Sequence, residues 1–194
     1  MPIVINGSGT VTGISVGGLP DGIVDTDTLA NGAATGIKQG AGSVIQVLSV
    51  TQPGTDTTTS TSWEDTANMT LDITPQTNSK VLIQFCGCLG HTDNTGMKFR
   101  IARVKSGTTT YHGVATSSEY TMVSYTGSSD PTNQIYHQSF HHVDATPGGD
   151  GSTAITYKLQ WKIDSNSIFL GRDDTGSASE YAGANSWTLM EIRG

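Results

Sequence analysis

The residues best suited to chemistry lie in the stretch IYHQSFHHVD, residues 135–144. His142 and Asp144 have the spacing of the H-x-D half of a facial triad, in which two histidines and one carboxylate hold a non-haem iron. The remaining histidine of such a triad normally arrives on a later strand, but no histidine follows His142. A metal would need an earlier one: His91, His112 or His137. The expected strand order gives no reason to find one there, and we predict no metal site.

The opening stretch IVINGSGTVTG raises a second possibility, the glycine-rich turn of a dinucleotide-binding domain. That fingerprint, G-x-G-x-x-G, requires a glycine at the position where the sequence has Thr12. It also requires a helix to begin there, and the Thr, Val, Ile and Pro residues that follow do not favour one. We predict short strands joined by glycine turns, with no cofactor.

Acidic residues in the loops admit two further interpretations. Asp173, Asp174 and Glu180 could form the carboxylate pair of a glycosidase, but they stand beside glycines, where acidic residues commonly form turns. The stretch GHTDNTG, which begins at Gly90, lacks the alternating oxygen ligands of a calcium loop. No Gly-x-Ser-x-Gly nucleophile elbow occurs. We predict no catalytic residue and no enzymatic activity.

Cys86 and Cys88, in KVLIQFCGCLG, are the only cysteines. Strand alternation puts both on one face, where neighbouring positions do not readily reach disulfide geometry. Two thiolates are also too few to hold zinc unless His91 or another chain helps. We predict two free thiols buried in the core.

Three tryptophans are candidates for stacking on sugar rings. Trp161 and Trp187 lie within apolar alternations, which indicates that they belong to the core. Trp63 follows a Thr-rich loop instead. It is therefore the tryptophan that we expect at a binding surface.

The composition excludes several classes of partner. The net charge is −7, and the ten Lys and Arg residues are scattered along the chain. Since nucleic-acid binding depends on clustered basic residues, we predict no nucleic-acid partner. No stretch approaches the roughly 20 apolar residues that cross a membrane, so we predict no membrane insertion. A charged fraction of 14% with 24 glycines suits strands and turns with a hydroxyl-rich surface.

Residues 44–194 show apolar alternation of period two. About nine such segments occur, separated by turn sequences such as TQPGTD and TPGGDGS. The pattern is clearest in AITYKLQWKID, where Ile155, Tyr157 and Leu159 oppose Thr156 and Lys158. No window supports a long amphipathic helix. We predict an all-β, jelly-roll-like β-sandwich over residues 44–194.

Residues 1–43 follow a different pattern, with short apolar pieces broken by glycines. Ile23, Ala30, Ile37 and Val44 recur every seven residues, as along a seam that faces identical chains. A helix here would be weak, because each interior glycine costs about 1 kcal/mol relative to alanine. We therefore predict an extended, Gly-rich attachment and trimerisation segment that is ordered through self-association.

Two stretches resemble a known class of proteins. The segment IVINGSGTVTGISVGGLPDGIVDTDTLANGAATGIK resembles the N-terminal leader of short fibre and appendage proteins of tailed bacteriophages. The closing stretch SWTLMEIRG is similar to the last strand of the globular heads on such fibres. The resemblance implies a homotrimer made in the host cytoplasm and built into the virion. Its N-terminal segment would attach to other virion proteins, and its C-terminal β domain would project outward.

The expected function is therefore that of a virion structural protein, a short trimeric fibre or spike whose head contacts host surface glycans. Capsid decoration is an alternative position on the particle. A carbohydrate-binding module outside phages and a cupin-like metalloenzyme are further alternatives. Host contact is expected in three polar loops of the β domain: His91 to Gly96, Ser124 to Asn133 and Arg172 to Tyr181. Tyr125, Tyr136 or Tyr181 could supply a stacking face there.

Overall fold

The computed structural model describes two units of the chain. The first unit, Met1–Gln39, is described only at β1 (Val4–Ile5) and β2 (Val11–Thr12), which pair antiparallel. The second unit, Gly40–Gly194, is described at residues 40–52, 54–92, 96–113, 123–126, 135–173 and 183–194, with residues 123–126 described as backbone alone. The predicted leader seam at Ile23, Ala30 and Ile37 lies outside the described residues.

The second unit consists of β-strands and connecting turns, with no helix in its described residues. Its strands are β3 (Val44–Gln52), β4 (Asp56–Thr58), β5 (Glu64–Ile73), β6 (Lys80–His91), β7 (Gly96–Lys105), β8 (Thr108–His112), β9 (Val123–Thr126), β10 (Tyr136–Asp144), β11 (Ile155–Ile163), β12 (Ile168–Leu170) and β13 (Asn185–Ile192). The short strands β4 and β8 are additional to the segments that alternation predicts.

The strands form two antiparallel sheets. In the six-stranded sheet, β3, β13, β6 and β10 lie side by side, and β12 and β4 continue the sheet beyond the end of β13. In the five-stranded sheet the order is β5, β11, β7 and β8, with β9 beside β7. Without the short strands β4, β9 and β12, eight strands remain in the described part of this unit. The first, eighth, third and sixth of these (β3, β13, β6 and β10) form one sheet. The second, seventh, fourth and fifth (β5, β11, β7 and β8) form the other. This is the strand order of a jelly roll, and the predicted fold class is confirmed.

The core lies between the two sheets, where alternate residues of each strand point inward. Phe85 on β6 pairs with Trp187 on β13 and with Phe140 on β10. The Phe85 ring stacks on the Phe140 ring, with 5.1 Å between centroids. Trp161 and Trp187 are buried, as predicted. The inward row of β11 comprises Ile155, Tyr157, Leu159, Trp161 and Ile163.

The two ends of the jelly roll meet. β3 pairs with β13 along nearly its whole length. Beyond the strand ends, the Gly42 amide donates to the Arg193 carbonyl at 2.7 Å, and the Arg193 amide donates to the Ser43 carbonyl at 2.9 Å. The first and last strands are therefore neighbours, and residues 42 and 43 bond to the main chain of the β unit.

Exchange of an inward residue of β13 should be much more costly than exchange of its outward neighbour. Leu189 is fully buried between Leu48 and Ile83, so Leu189→Ala should lower the free energy of unfolding by about 2–5 kcal/mol. Met190 points outward, and Met190→Ala should cost roughly 1 kcal/mol or less. Urea unfolding of both variants measures this, and equal losses would contradict the inward assignment.

Candidate functional site

The side chains of His112 on β8 and of His142 and Asp144 on β10 converge on the inner face of the sandwich. His142 and Asp144 point inward from β10, at the edge of the six-stranded sheet. His112 reaches them from β8, at the edge of the five-stranded sheet. The His112 and His142 rings lie 5.3 Å apart, and His112 Nε2 lies 3.5 Å from Asp144 Oδ2. The expectation that no earlier histidine would approach the H-x-D pair was therefore wrong.

The acceptor atoms of Asp144 are occupied by the protein itself. Asp144 Oδ2 accepts hydrogen bonds from Arg103 Nη1 and from the Tyr157 hydroxyl, both at 2.7 Å. Asp144 Oδ1 accepts one from the Thr146 amide at 3.1 Å. Burial alone would raise the pKa of Asp144, but the hydrogen bonds from Tyr157 and Arg103 outweigh it and hold that pKa below its ordinary value. Asp144 is thus a buried carboxylate, and both of its oxygens accept hydrogen bonds from the protein.

These five residues, the Asp144 cluster (Arg103, His112, His142, Asp144 and Tyr157), join the two sheets. Asp144 belongs to the six-stranded sheet, whereas Arg103 and Tyr157 belong to the five-stranded one. Arg103 donates to the same Asp144 oxygen, Oδ2, that faces His112. Within the described part of the chain, no three His, Cys, Asp or Glu side chains are arranged to hold a metal. The geometry therefore fits an electrostatic clamp between sheets.

The two histidines of the cluster are held neutral. Burial lowers the pKa of His112 and also that of His142, because the charged imidazolium loses its hydration there. The nearby Asp144 carboxylate opposes this lowering at both positions, but burial dominates. A neutral His112 therefore lies beside the ion pair at neutral pH.

The cysteines lie on the outer face of the six-stranded sheet and not in the core. Both thiols are free, as predicted, but Cys86 is exposed and Cys88 is half-buried. The inward positions of this part of β6 are taken by Phe85, Gly87 and Leu89. Cys86 Sγ lies 3.3 Å from His137 Nε2, across the pairing with β10.

The other predicted site residues do not come together in the described structure. His91 is buried on the inner face of β6, and its ring stacks on Tyr136 at 5.3 Å. Asp173 is buried, whereas Asp174 and Glu180 lie outside the described residues. Most of the three predicted contact loops (residues 93–95, 127–133 and 174–181) and the Tyr125 side chain also lie outside the described residues.

A stack of one cation and two aromatic rings covers part of the outer face of the five-stranded sheet. The Arg100 guanidinium carbon lies 4.3 Å from the centroid of the Trp63 ring and 3.6 Å from that of the Tyr111 ring. Arg100 Nε also donates to Gln160 Oε1 at 2.8 Å, which fixes the guanidinium plane. We call Trp63, Arg100 and Tyr111 the Arg100 stack. Cation–π attraction holds both rings against the guanidinium.

The Arg100 stack presents an aromatic ring to solvent. Tyr111 is 47% exposed, although it is held against Arg100. Farther across the same face, on β11 and β5, Gln160 Nε2 and Lys158 Nζ both donate to the Asp65 carboxylate at 2.7 Å. An exposed ring that shares a face with amide, ammonium and carboxylate groups can stack on a sugar ring, and those groups can bond sugar hydroxyls. Trp63 was the tryptophan expected at a binding surface. Tyr111 was missed because TTTYH has no apolar alternation, although Thr and Tyr favour strands.

A depression of about 340 Å³ lies at one end of the sandwich. It is lined by the turns that include Thr77, Asn78, Thr146, Pro147 and Gly148. This lining offers hydroxyl, amide and main-chain groups but no aromatic ring. The depression is therefore a weaker candidate for sugar binding than the Arg100 stack.

Comparison with known proteins adds no assignment. No protein-family model matches the sequence. No curated protein matches it either. Among solved structures, the CBM22-1 xylan-binding domain of Paenibacillus barcinonensis Xyn10C is 11% identical, with a TM-score of 0.34, and the match covers 79% of this chain and 97% of that one. A chain from the structure of infectious bursal disease virus Gt strain is 12% identical, with a TM-score of 0.29, covering 79% and 41%. Similarities this low carry no argument about function.

The described residues also contain no helix that is long and apolar enough to cross a membrane.

Removal of the charge on Asp144 should destabilise the fold strongly. Asp144→Asn keeps the volume but leaves the Arg103 cation without its anion, so the free energy of unfolding should fall by about 3–5 kcal/mol. The matched control is Asp164→Asn, which breaks an ion pair of similar length with Lys98 at a carboxylate that is 55% exposed. That change should cost about 1 kcal/mol or less. Chemical denaturation compares the two, and similar losses would contradict the clamp.

Acidification should destabilise the protein through His142. Folding lowers the pKa of His142 below its ordinary value of 6.5. As the pH falls through that value, the unfolded chain therefore binds more protons than the folded chain, and the free energy of unfolding decreases. His142→Gln should therefore reduce the loss of unfolding free energy between about pH 7.5 and 5, and part of the remaining loss comes from His112, whose pKa burial also lowers. His141→Gln, on the exposed face of the same strand, is the matched control. A loss in His142→Gln as steep as that of the control would count against this assignment.

Proposed function

We propose that this chain is a structural protein of a bacteriophage virion, a short trimeric fibre or spike whose jelly-roll domain contacts sugars of the host surface. The observation that carries the sugar contact is the exposed Tyr111 ring, held in the Arg100 stack on the outer face of the five-stranded sheet. The resemblance of residues 3–38 to phage appendage leaders supports the position on a virion. The jelly roll supplies the rigid scaffold on which such a surface is presented.

The ligand that fits the Arg100 stack is a pyranose ring within a glycan. The apolar face of a pyranose packs on an aromatic ring, and Gln160 and Asp65, two and three strands away on β11 and β5, offer polar groups to further sugar units of the same glycan. The Arg100 guanidinium on the buried side of Tyr111 keeps the ring plane fixed, so little side-chain entropy is lost on binding.

Two of the cations on this face are paired with neighbouring carboxylates. Lys98 pairs with Asp164 at 2.6 Å, and Lys158 pairs with Asp65 at 2.7 Å. Together with the net charge of −7, this leaves little long-range attraction to an anionic cell surface. Adhesion should therefore be short-range and should change little with salt.

Exchange of Tyr111 tests the sugar contact. On phage that carry the variant protein, Tyr111→Ala should reduce adsorption to host cells about tenfold, the equivalent of roughly 1.4 kcal/mol of stacking energy. Tyr111→Phe keeps the ring and should adsorb like the wild type. A matched control is Thr70→Ala, which truncates an exposed side chain on β5, on the same outer face but outside the Arg100 stack.

Two results would redirect this proposal. Unchanged adsorption of Tyr111→Ala would remove the sugar contact from this face and leave capsid decoration as the better interpretation. Immunogold labelling of virions with an antibody against the chain tests its position directly. Labelled tails support a fibre or spike, labelled heads support decoration, and unlabelled particles would contradict a virion protein and favour a carbohydrate-binding module outside phages.

A further inference from the structure

An apolar row crosses the outer face of the six-stranded sheet. Val143, Leu82, Met190 and Val47 stand opposite one another on β10, β6, β13 and β3. Val143 is 43% exposed and Val47 is 55% exposed, at the two ends of the row. With strands about 4.8 Å apart, the row is roughly 14 Å long. Ile192 and the exposed Val44 extend it on the adjacent register line.

Most of the exposed large hydrophobic side chains of the described residues lie in or beside this row. Of the four large hydrophobic side chains that are exposed there, Val44, Val47 and Val143 belong to this area, and the fourth is Tyr111. Apolar side chains that are contiguous across four strands are unusual on a solvated sheet face, where polar residues normally alternate outward. The row is therefore a docking surface.

The charges around the row favour an identical chain as the partner. Among the outward positions of β3, β6, β10 and β13, Lys80 is the one Lys, Arg, Asp or Glu; the others are aliphatic, hydroxyl, amide, thiol or imidazole groups. A chain with a net charge of −7 repels its own copies wherever charged faces meet, but an uncharged face avoids that cost. The five-stranded sheet, by contrast, presents Lys98, Arg100, Lys158 and Asp65 to solvent.

The position of Val44 gives a second reason. It is the last member of the seven-residue apolar recurrence that runs through Ile23, Ala30 and Ile37. In the structure Val44 is 47% exposed and stands opposite Ile192, beside the apolar row. The predicted seam between leaders is thus continuous in sequence with the uncharged face of the jelly roll.

We propose that the apolar row and Val44 form the surface through which the jelly-roll domains of neighbouring copies pack against one another. This inference rests on the self-association in the proposed function and adds to it a specific interface in the heads. The uncharged face lies inside the oligomer, and the face with the Arg100 stack is left open to a ligand.

The test is the self-association of the full-length chain, measured by sedimentation equilibrium over a range of concentrations. Val47→Asp combined with Val143→Asp places two carboxylates in the row, and the dissociation constant should rise at least about tenfold, because each would be buried without a partner. The matched control, Thr70→Asp with Thr109→Asp, puts the same charges on exposed strand positions of the five-stranded sheet. It should associate like the wild type.

Val47→Thr with Val143→Thr keeps the strand preference and should shift the dissociation constant in the same direction by less. This pair decides the outcome if the aspartate pair lacks the wild-type circular dichroism or melting temperature. An aspartate pair that folds and associates like the control would overturn the surface, as would a wild-type chain that is monomeric throughout. Adsorption of Tyr111→Ala phage is a separate measurement, so failure of this surface is distinguishable from failure of the sugar contact.

Discussion

The fold depends on keeping one carboxylate charged inside the sandwich. Asp144 is 2% exposed, a position that an isolated anion could not occupy, and it is stable there because Arg103 and Tyr157 both donate to it. Those donors come from the opposite sheet, so the ion pair sets how β10 lies over β7 and β11. It also sets the surroundings of His112, which is buried beside the pair and stays neutral. A motif that reads as half of a metal site thus serves to join two sheets.

Around this clamp the two sheets have outer faces of different chemistry. The face of the five-stranded sheet carries paired charges and the Arg100 stack, which suits contact with a polar ligand in water. The face of the six-stranded sheet carries hydroxyls, thiols and the apolar row. Because alternate residues of a strand point to opposite sides, both faces are encoded in residues between the core positions and can change without disturbing the core.

Period-two alternation predicted the jelly roll, since inward rows such as Ile155, Tyr157 and Leu159 are visible in the sequence. β8 was missed because TTTYH has no apolar alternation. The places of its residues His112 in the Asp144 cluster and Tyr111 in the Arg100 stack were therefore not predicted either. The cysteines were assigned to the core although Val81, Ile83 and Phe85 set the inward phase of β6. That phase places Cys86 and Cys88 on the opposite face, together with Lys80 and Gln84. The Asp144 cluster and the Arg100 stack depend on the long-range pairing of the edge strands β8 and β10, which no local sequence pattern predicts.

The meeting of the first and last strands has a mechanical consequence. In the fibre proposed above, tension applied through the residues before β3 would enter the jelly roll at β3, an edge strand that pairs antiparallel with β13 from Gln52 to Val44. A pull along the axis of β3 shears the hydrogen bonds of that ladder together, whereas a pull across it would peel them one at a time. The hydrogen bonds between residues 42–43 and Arg193 reinforce the end where peeling would start. The β3–β13 pairing therefore resists tension along the axis of β3 better than tension across it.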